Sequence, residues 1–314
     1  MADARTSSHS PRAGFVHEAL IYRDEAELDA AVQAFLREAA AVGEPVLVAL
    51  PGPHLQHMRE ALGEEMADAR LEDLEQVGRN PGRLLSMIEE WVASHDGRAR
   101  VVSEVVWPGR SRAEAVEALR HEALVNHALA GSGATILSPF DAQHLDDDIL
   151  AGIEMTHPTV VEGGRRRAGT SYTDPMSAMF GELWPLEDPP GPVSEHPLHG
   201  SLIELRRAIA RDPALGSLSA ERRSDLVFAI NEAASNAVKH GNETCLTRIW
   251  HDGDEVVTEV SSHSGIEDVM AGRRRPAADA LQGRGLWLIN QVCDLVELRS
   301  GASGTTLRMH IKEH

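Results

Sequence analysis

Residues 231–240 read Asn-Glu-Ala-Ala-Ser-Asn-Ala-Val-Lys-His, and Glu232, Asn236 and His240 recur at every fourth position. On a helix that spacing stacks the three side chains on one face. Leu226, Val227, Ile230, Ala233, Ala234, Ala237 and Val238 form a second, wide apolar stripe on the same helix. At about 100° per residue, the Glu/Asn/His line falls on the border of that stripe. A carboxylate, an amide and an imidazole at the edge of a core line a half-buried polar pocket. The plain alternative is the solvated flank of an amphipathic helix.

The sequence downstream favours the pocket. Residues 281–290 read Leu-Gln-Gly-Arg-Gly-Leu-Trp-Leu-Ile-Asn, so Gly283 and Gly285 precede an apolar, helix-like run. A glycine turn at a helix start exposes backbone N–H groups and the positive end of the dipole, an arrangement suited to phosphate. The chain then closes with strand-like runs at 294–299 and 305–311 around the turn Ser300-Gly301-Ala302-Ser303-Gly304.

This order resembles the GHKL, or histidine-kinase-type, ATPase domain over about residues 198–314, and in particular its small anti-sigma serine-kinase branch. The resemblance implies ATP and magnesium as cofactors. It makes Glu232 the base for phosphoryl transfer and Asn236 the magnesium ligand. His240 continues the same polar line, and Gly283, Gly285 and Leu286 open the phosphate-holding helix. Thr306 matches the threonine beside the adenine pocket. The family pattern also has an Asp-x-Gly whose Asp accepts a hydrogen bond from the adenine amino group. Here Ser262 stands at the Asp position and Ser264 at the glycine. Losing a charged acceptor costs roughly 1.5–3 kcal/mol, about 10–150-fold in affinity. The expectation is a recognisable ATP site weakened by Ser262.

A sensor histidine kinase would need a long helical hairpin just before this domain. Residues 163–199 instead hold six prolines and five glycines, which read as a linker. Any phosphoryl transfer would therefore go to another protein.

The chain has 314 residues, enough for about two domains, with 42% hydrophobic and 25% charged residues. A net charge of −19 argues against nucleic-acid binding and suits a basic partner surface, as well as solubility. Cys245 and Cys293 are read as free buried thiols in a reducing cytoplasm. No apolar run is long enough for a membrane span, and the polar start has no signal core.

From Phe15 to His157, strand-like runs alternate with helical periodicity. That alternation predicts a parallel sheet with helices on both faces, and ligands beyond the strand C-terminal ends. The strings Val16-His17-Glu18-Ala19-Leu20-Ile21-Tyr22, Gly78-Arg79-Asn80-Pro81, Trp107-Pro108-Gly109-Arg110 and Ser138-Pro139-Phe140-Asp141 resemble the MEDS (methanogen/methylotroph, DcmR-type) sensory domain. That resemblance implies a RecA-like core that senses a signal without catalysis. After the run 46–50 comes Pro51-Gly52-Pro53-His54-Leu55, so no P-loop is expected. His17, Glu104 and Asp141 are candidates for a ligand or metal site at strand ends, with structural hydrogen bonding the simpler role. Arg273-Arg274-Arg275 fall in the stretch that forms the ATP lid in the GHKL family. They read as charge for phosphates or an acidic partner, or as a solvated loop.

The expected class is α/β: an N-terminal RecA-like parallel sheet and a C-terminal α/β sandwich of the GHKL type. The expected order is a tail at 1–14, a sensory domain at 15–162, a linker at 163–199 and the ATPase-like domain at 200–314. The two halves are expected to be separable. Two functions fit. One is a cytoplasmic anti-sigma factor that sequesters a sigma factor and is displaced by a small STAS-type anti-anti-sigma protein. The other is an active serine kinase that phosphorylates that antagonist. The resemblance also implies a homodimer.

Overall fold

The computed structural model describes residues 14–174, 184–198, 201–239, 244–277, 283–301 and 304–313. The first sheet holds β1 (Val16–Tyr22), β2 (Val46–Leu50), β3 (Arg70–Asp73), β4 (Arg100–Ser103), β5 (Thr135–Asp141), β6 (Thr159–Glu162) and β7 (Arg165–Ala168). Its order is β3-β2-β4-β5-β1-β6-β7. The pairs are parallel except for the β6–β7 hairpin. Every residue of β2 is buried, as a central parallel strand covered on both faces requires.

Helices α1 (Glu25–Val42) and α2 (Gly52–Leu62) cover one face through Leu28, Val32 and Met58 against Leu20, Val48 and Leu137. Asp24 caps α1 by accepting from Glu27 N, and Gly43, at φ 69°, ends it in the left-handed conformation. After the short α3 (Leu74–Val77), helices α4 (Leu84–Ser94), α5 (Arg112–Leu129) and α6 (Asp147–Thr156) cover the other face. Ser111 and Glu114 form a capping box that starts α5. Helix α5 is buried almost all round, including Glu117, Arg120, His121 and Glu122. A helix carrying that much charge stays buried only between two layers that pair its charges.

The second layer is the C-terminal domain. Strands β8 (Ser194–Pro197), β9 (Leu246–Asp252), β10 (Glu255–Ser262), β11 (Leu295–Gly301) and β12 (Gly304–Lys312) form an antiparallel sheet of order β11-β12-β10-β9-β8. Helices α7 (Leu202–Ile209), α8 (Ala220–Lys239) and α9 (Arg284–Val292) pack on one face. Leu226, Ile230 and Ile289 meet Val256, Val260 and Leu307 there. The opposite face carries Glu259, Glu297, Arg308 and His310, all buried. Part of that charged face lies against α5. Arg120 Nη2 donates to Leu298 O at 2.9 Å, and Lys312 Nζ lies 3.5 Å from Glu114.

Two expectations change. The stretch 163–199 adds β7 to the first sheet and β8 to the second, so it contributes structure to both domains. The halves are also not independent bodies on a tether, because buried polar and apolar contacts join them. Both cysteines are free and buried, as the composition predicts.

Candidate functional site

Helix α8 turns Leu226, Ala229, Ile230, Ala233, Ala234 and Ala237 into the core. Glu232 and Asn236 are left half-buried on its border, as the periodicity requires. Helix α9 begins at Gly283, whose φ of 83° places it in the left-handed region open to glycine. Within its first turn, Gly285 faces the α8 pair. A Cβ there would sit 3.1 Å from Glu232 Oε2 and 3.1 Å from Asn236 Nδ2. The two motifs therefore meet, and the missing side chain leaves a cradle between a helix start, a carboxylate and an amide. Leu286 packs against the core from the same turn. His240 lies outside the described residues.

The sheet packs against the same helices. Side chains alternate along a strand, and Val260, Leu307 and Met309 point to the helices. Ser262 and its cross-strand partner Thr305 share that face. Thr306 does not. It points to the opposite face, where its hydroxyl lies 3.2 Å from that of Ser261. Thr305 is thus the threonine on the helix side, and its Oγ1 donates to Ser264 O at 2.6 Å. Gly304, at φ 118°, makes the close approach possible, since a Cβ would lie 2.1 Å from Ser262 O.

Residues 269–274, between β10 and α9, pack onto the N-terminal domain. Val269 and Met270 are buried in one apolar cluster with Leu85, Ile88 and Leu124. Arg273 Nη2 donates to Glu117 Oε2 at 2.8 Å, and Arg274 pairs with Glu89 at 2.6 Å. The acidic partner of these arginines is the chain's own N-terminal domain. Burial alone would raise the Glu117 pKa, but Arg299, Arg120 and Arg273 outweigh it and hold the carboxyl at about 2. A second junction grips the end of α9. Arg83 donates to the carbonyls of Asn290, Gln291 and Cys293, satisfying helix-end acceptors. Asn80 Nδ2 donates to Asn290 O and Asn290 Oδ1, each at 3.1 Å.

In the N-terminal domain Glu104 and Asp141 come together beside Tyr22 and His54 at the strand C-terminal ends, but His17 does not join them. Glu104 follows β4 and accepts from Tyr22 Oη at 2.8 Å, with His54 Nδ1 2.6 Å away. Asp141, at the end of β5, pairs with His144. His17 lies near the start of β1, at the other end of the sheet, beside Glu122 and His157. Sequence reasoning missed those two partners, because no local spacing connects three residues on three separate elements.

Comparison with known families decides what these halves are. Residues 16–158 match the MEDS, or methanogen/methylotroph DcmR sensory, domain, and residues 197–311 match the histidine kinase-like ATPase domain. The chain joins a MEDS domain to a histidine kinase-like ATPase domain. The cradle at Gly285 lies in the ATPase domain, and α5 belongs to the MEDS domain. No curated protein matches the chain. Among solved structures, it is similar to the RsbU and RsbW domains of Rv1364c from Mycobacterium tuberculosis. That likeness is 20% identity over 39% of this chain and 33% of that one, with a TM-score of 0.30. The chain thus spans about a third of that protein's length. Among the described residues, no helix is long and apolar enough to cross a membrane.

Proposed function

We propose that the chain is a cytoplasmic transcription regulator of the anti-sigma type. Its ATPase domain sequesters a sigma factor and is released by a small STAS-type anti-anti-sigma protein. Its MEDS domain senses the signal and acts on the ATPase domain through the lid. One observation supports this reading: Glu232, Asn236 and Gly285 lie together, while the family resemblance aligns Ser262 with the adenine-binding Asp. Sequestering a partner needs the fold and its surface, whereas phosphoryl transfer also needs the adenine held.

The residues present fit a nucleotide at the phosphate end. Asn236 would hold magnesium, and the backbone N–H groups that open α9 after Gly283 would hold phosphates. Bound Mg·ATP would supply a transferable phosphoryl group. Glu232 is placed to take the proton from an attacking serine hydroxyl. At the adenine end, Ser262 and Thr305 offer hydroxyls in place of a carboxylate, and Thr305 takes the role first given to Thr306. The intact Glu232–Asn236–Gly285 group favours a second reading, an active serine kinase acting on the antagonist protein.

Calorimetric titration of Mg·ATP into the whole chain, beside capture assays with sigma factors and STAS proteins, separates the readings. The expected result is partner capture with weak ATP binding that Ser262→Asp strengthens. Tight ATP binding by the natural sequence, with transfer of phosphate to a STAS protein that depends on Glu232, promotes the kinase. Absence of either partner removes both.

A further inference from the structure

Three ligand-type side chains converge inside the MEDS domain. His17 is on β1, Glu122 on α5, and His157 just beyond α6, and each is buried. Among the described residues this is the one group of three such side chains whose ligand atoms all lie within 4.8 Å of one another. Glu122 Oε2 is 3.1 Å from His17 Nε2 and 3.5 Å from His157 Nε2. Two atoms bound to one tetrahedral ion at 2.0–2.1 Å lie about 3.3 Å apart, so the spacing already suits a shared cation. Ser138 Oγ adds an oxygen 3.1 Å from Glu122 Oε2 and 3.3 Å from His17 Nε2.

The surrounding hydrogen bonds fix which imidazole nitrogens face the centre. Asn126 donates its amide N–H groups to Glu122 O and Thr156 O. Its Oδ1 is therefore the atom 3.0 Å from His17 Nδ1, and it accepts a proton from that nitrogen. His157 Nδ1 lies 3.0 Å from Ile153 O, which can only accept, and 3.0 Å from Thr156 Oγ1, whose own hydroxyl proton is directed at Gly152 O or Ile153 O. Both rings thus carry their proton on Nδ1 and turn a bare Nε2 inward when neutral. Metal-binding histidines are oriented by this same outer hydrogen bond. The centre then holds two nitrogen lone pairs and a carboxylate facing one another, and among the described residues Glu122 Oε1 and His157 Nε2 have no hydrogen-bond partner. A single proton can bridge one of these contacts. A metal ion satisfies all three.

We propose that His17, Glu122 and His157 bind one divalent first-row transition-metal ion. Two imidazoles and a carboxylate favour zinc or iron(II) over calcium or magnesium. The site is closed to solvent, so the ion serves structure or signalling, not catalysis. Glu122 shares α5 with Glu117, which holds Arg273, so a bound ion would fix the helix that touches the ATPase domain.

The test uses the full chain stripped with chelator and then titrated with Zn²⁺ and with Co²⁺. One tightly held equivalent is expected, with visible Co²⁺ bands of a low-coordinate nitrogen/oxygen site. X-ray absorption of the zinc form should show two imidazoles and no sulfur. His157→Gln and Glu122→Gln, checked for folding by circular dichroism, should each lower affinity by at least tenfold. Failure of the folded natural chain to retain an equivalent of either ion overturns the proposal. So does a zinc shell with sulfur or without two imidazoles, or undiminished binding by folded His157→Gln. The wild-type titration and the absorption spectrum decide the matter even where a variant fails to fold.

Discussion

Arg273, between β10 and α9, and Glu117 of α5 form an ion pair across the domain boundary at 2.8 Å, with side-chain exposures of only 4% and 0%. Glu117 also faces Arg120 at 3.1 Å and Arg299 of β11, so one carboxylate touches three guanidinium groups, with Glu297 3.5 Å from Arg299 as a second acidic partner. A buried pair of this kind is a weak source of net stability, but breaking one side leaves uncompensated charge. The position of the Arg273 segment is thus tied to a residue outside the ATPase domain.

Glu117→Gln should destabilise the whole chain by about 3–5 kcal/mol. Denaturant unfolding followed by intrinsic fluorescence measures it. A change within experimental error would show that the three arginines find water instead. The pH dependence has a definite sign. The folded carboxyl is depressed from 4.5 to about 2. Its contribution is therefore complete above pH 4.5 and is lost as pH falls toward 2. Acid unfolding of Glu117→Gln should lack that part of the slope.

Gly82 meets Asn290 at the second junction, where a Cβ would lie 2.0 Å from Asn290 Oδ1. Gly82→Ala should therefore push the MEDS domain off the end of α9 and expose the segments between the domains to protease. Asn290→Ala removes the clashing oxygen, so the double variant should be less perturbed than the sum of the singles. Strict additivity would mean that the two residues do not touch in solution.

How much of this was legible in the sequence differs between elements. The Glu232–Asn236 line and the glycine turn were readable because each is a local spacing on one helix or one turn. Their meeting followed from the resemblance, not from periodicity. That Thr305 and not Thr306 faces the helices was not legible, because strand parity flips with a shift of one residue and the sequence alone does not set the register. Arg273 and Arg274 read as solvated or phosphate-facing because Glu117 and Glu89 lie far back in the chain. His17 found the wrong companions for the same reason. The Pro/Gly-rich segment hid β7 and β8, short edge strands whose pairing depends on sheets built elsewhere.

His310 should impose a second pH dependence, opposite in sign. Burial lowers its pKa, but hydrogen bonds with Glu255 at 2.9 Å and Glu297 at 3.0 Å outweigh that and raise it to about 9. Protonated His310 then stabilises the fold fully below the unfolded value of 6.5, and the contribution fades as pH rises through about 9. The shift corresponds to about 3 kcal/mol for the His310 and carboxylate group taken together. His310→Gln should flatten the stability profile between these limits in urea titrations at stepped pH. An unaltered profile would show that the ring is neutral in the folded state.

The last prediction concerns the cradle. Gly285→Ala places a methyl group 3.1 Å from both Glu232 Oε2 and Asn236 Nδ2, tighter than ordinary contact. Both neighbours are half-buried side chains that can swing aside, so the fold should lose about 1 kcal/mol or less. Nucleotide chemistry should suffer far more, because the methyl group displaces the two groups that would position magnesium and the proton acceptor. The clean background is Ser262→Asp, in which ATP binding is expected to strengthen. There, Gly285→Ala should weaken binding at least tenfold, about 1.4 kcal/mol. Glu232→Ala in the same background should bind ATP normally but lose any phosphate transfer by about 10²–10⁴-fold. Partner capture by the natural sequence should be insensitive to Glu232→Ala, since that side chain adds a proton acceptor and little packing. If capture and nucleotide binding instead fall together in every variant, partner binding itself requires the loaded site, and Ser262 does not separate the two activities.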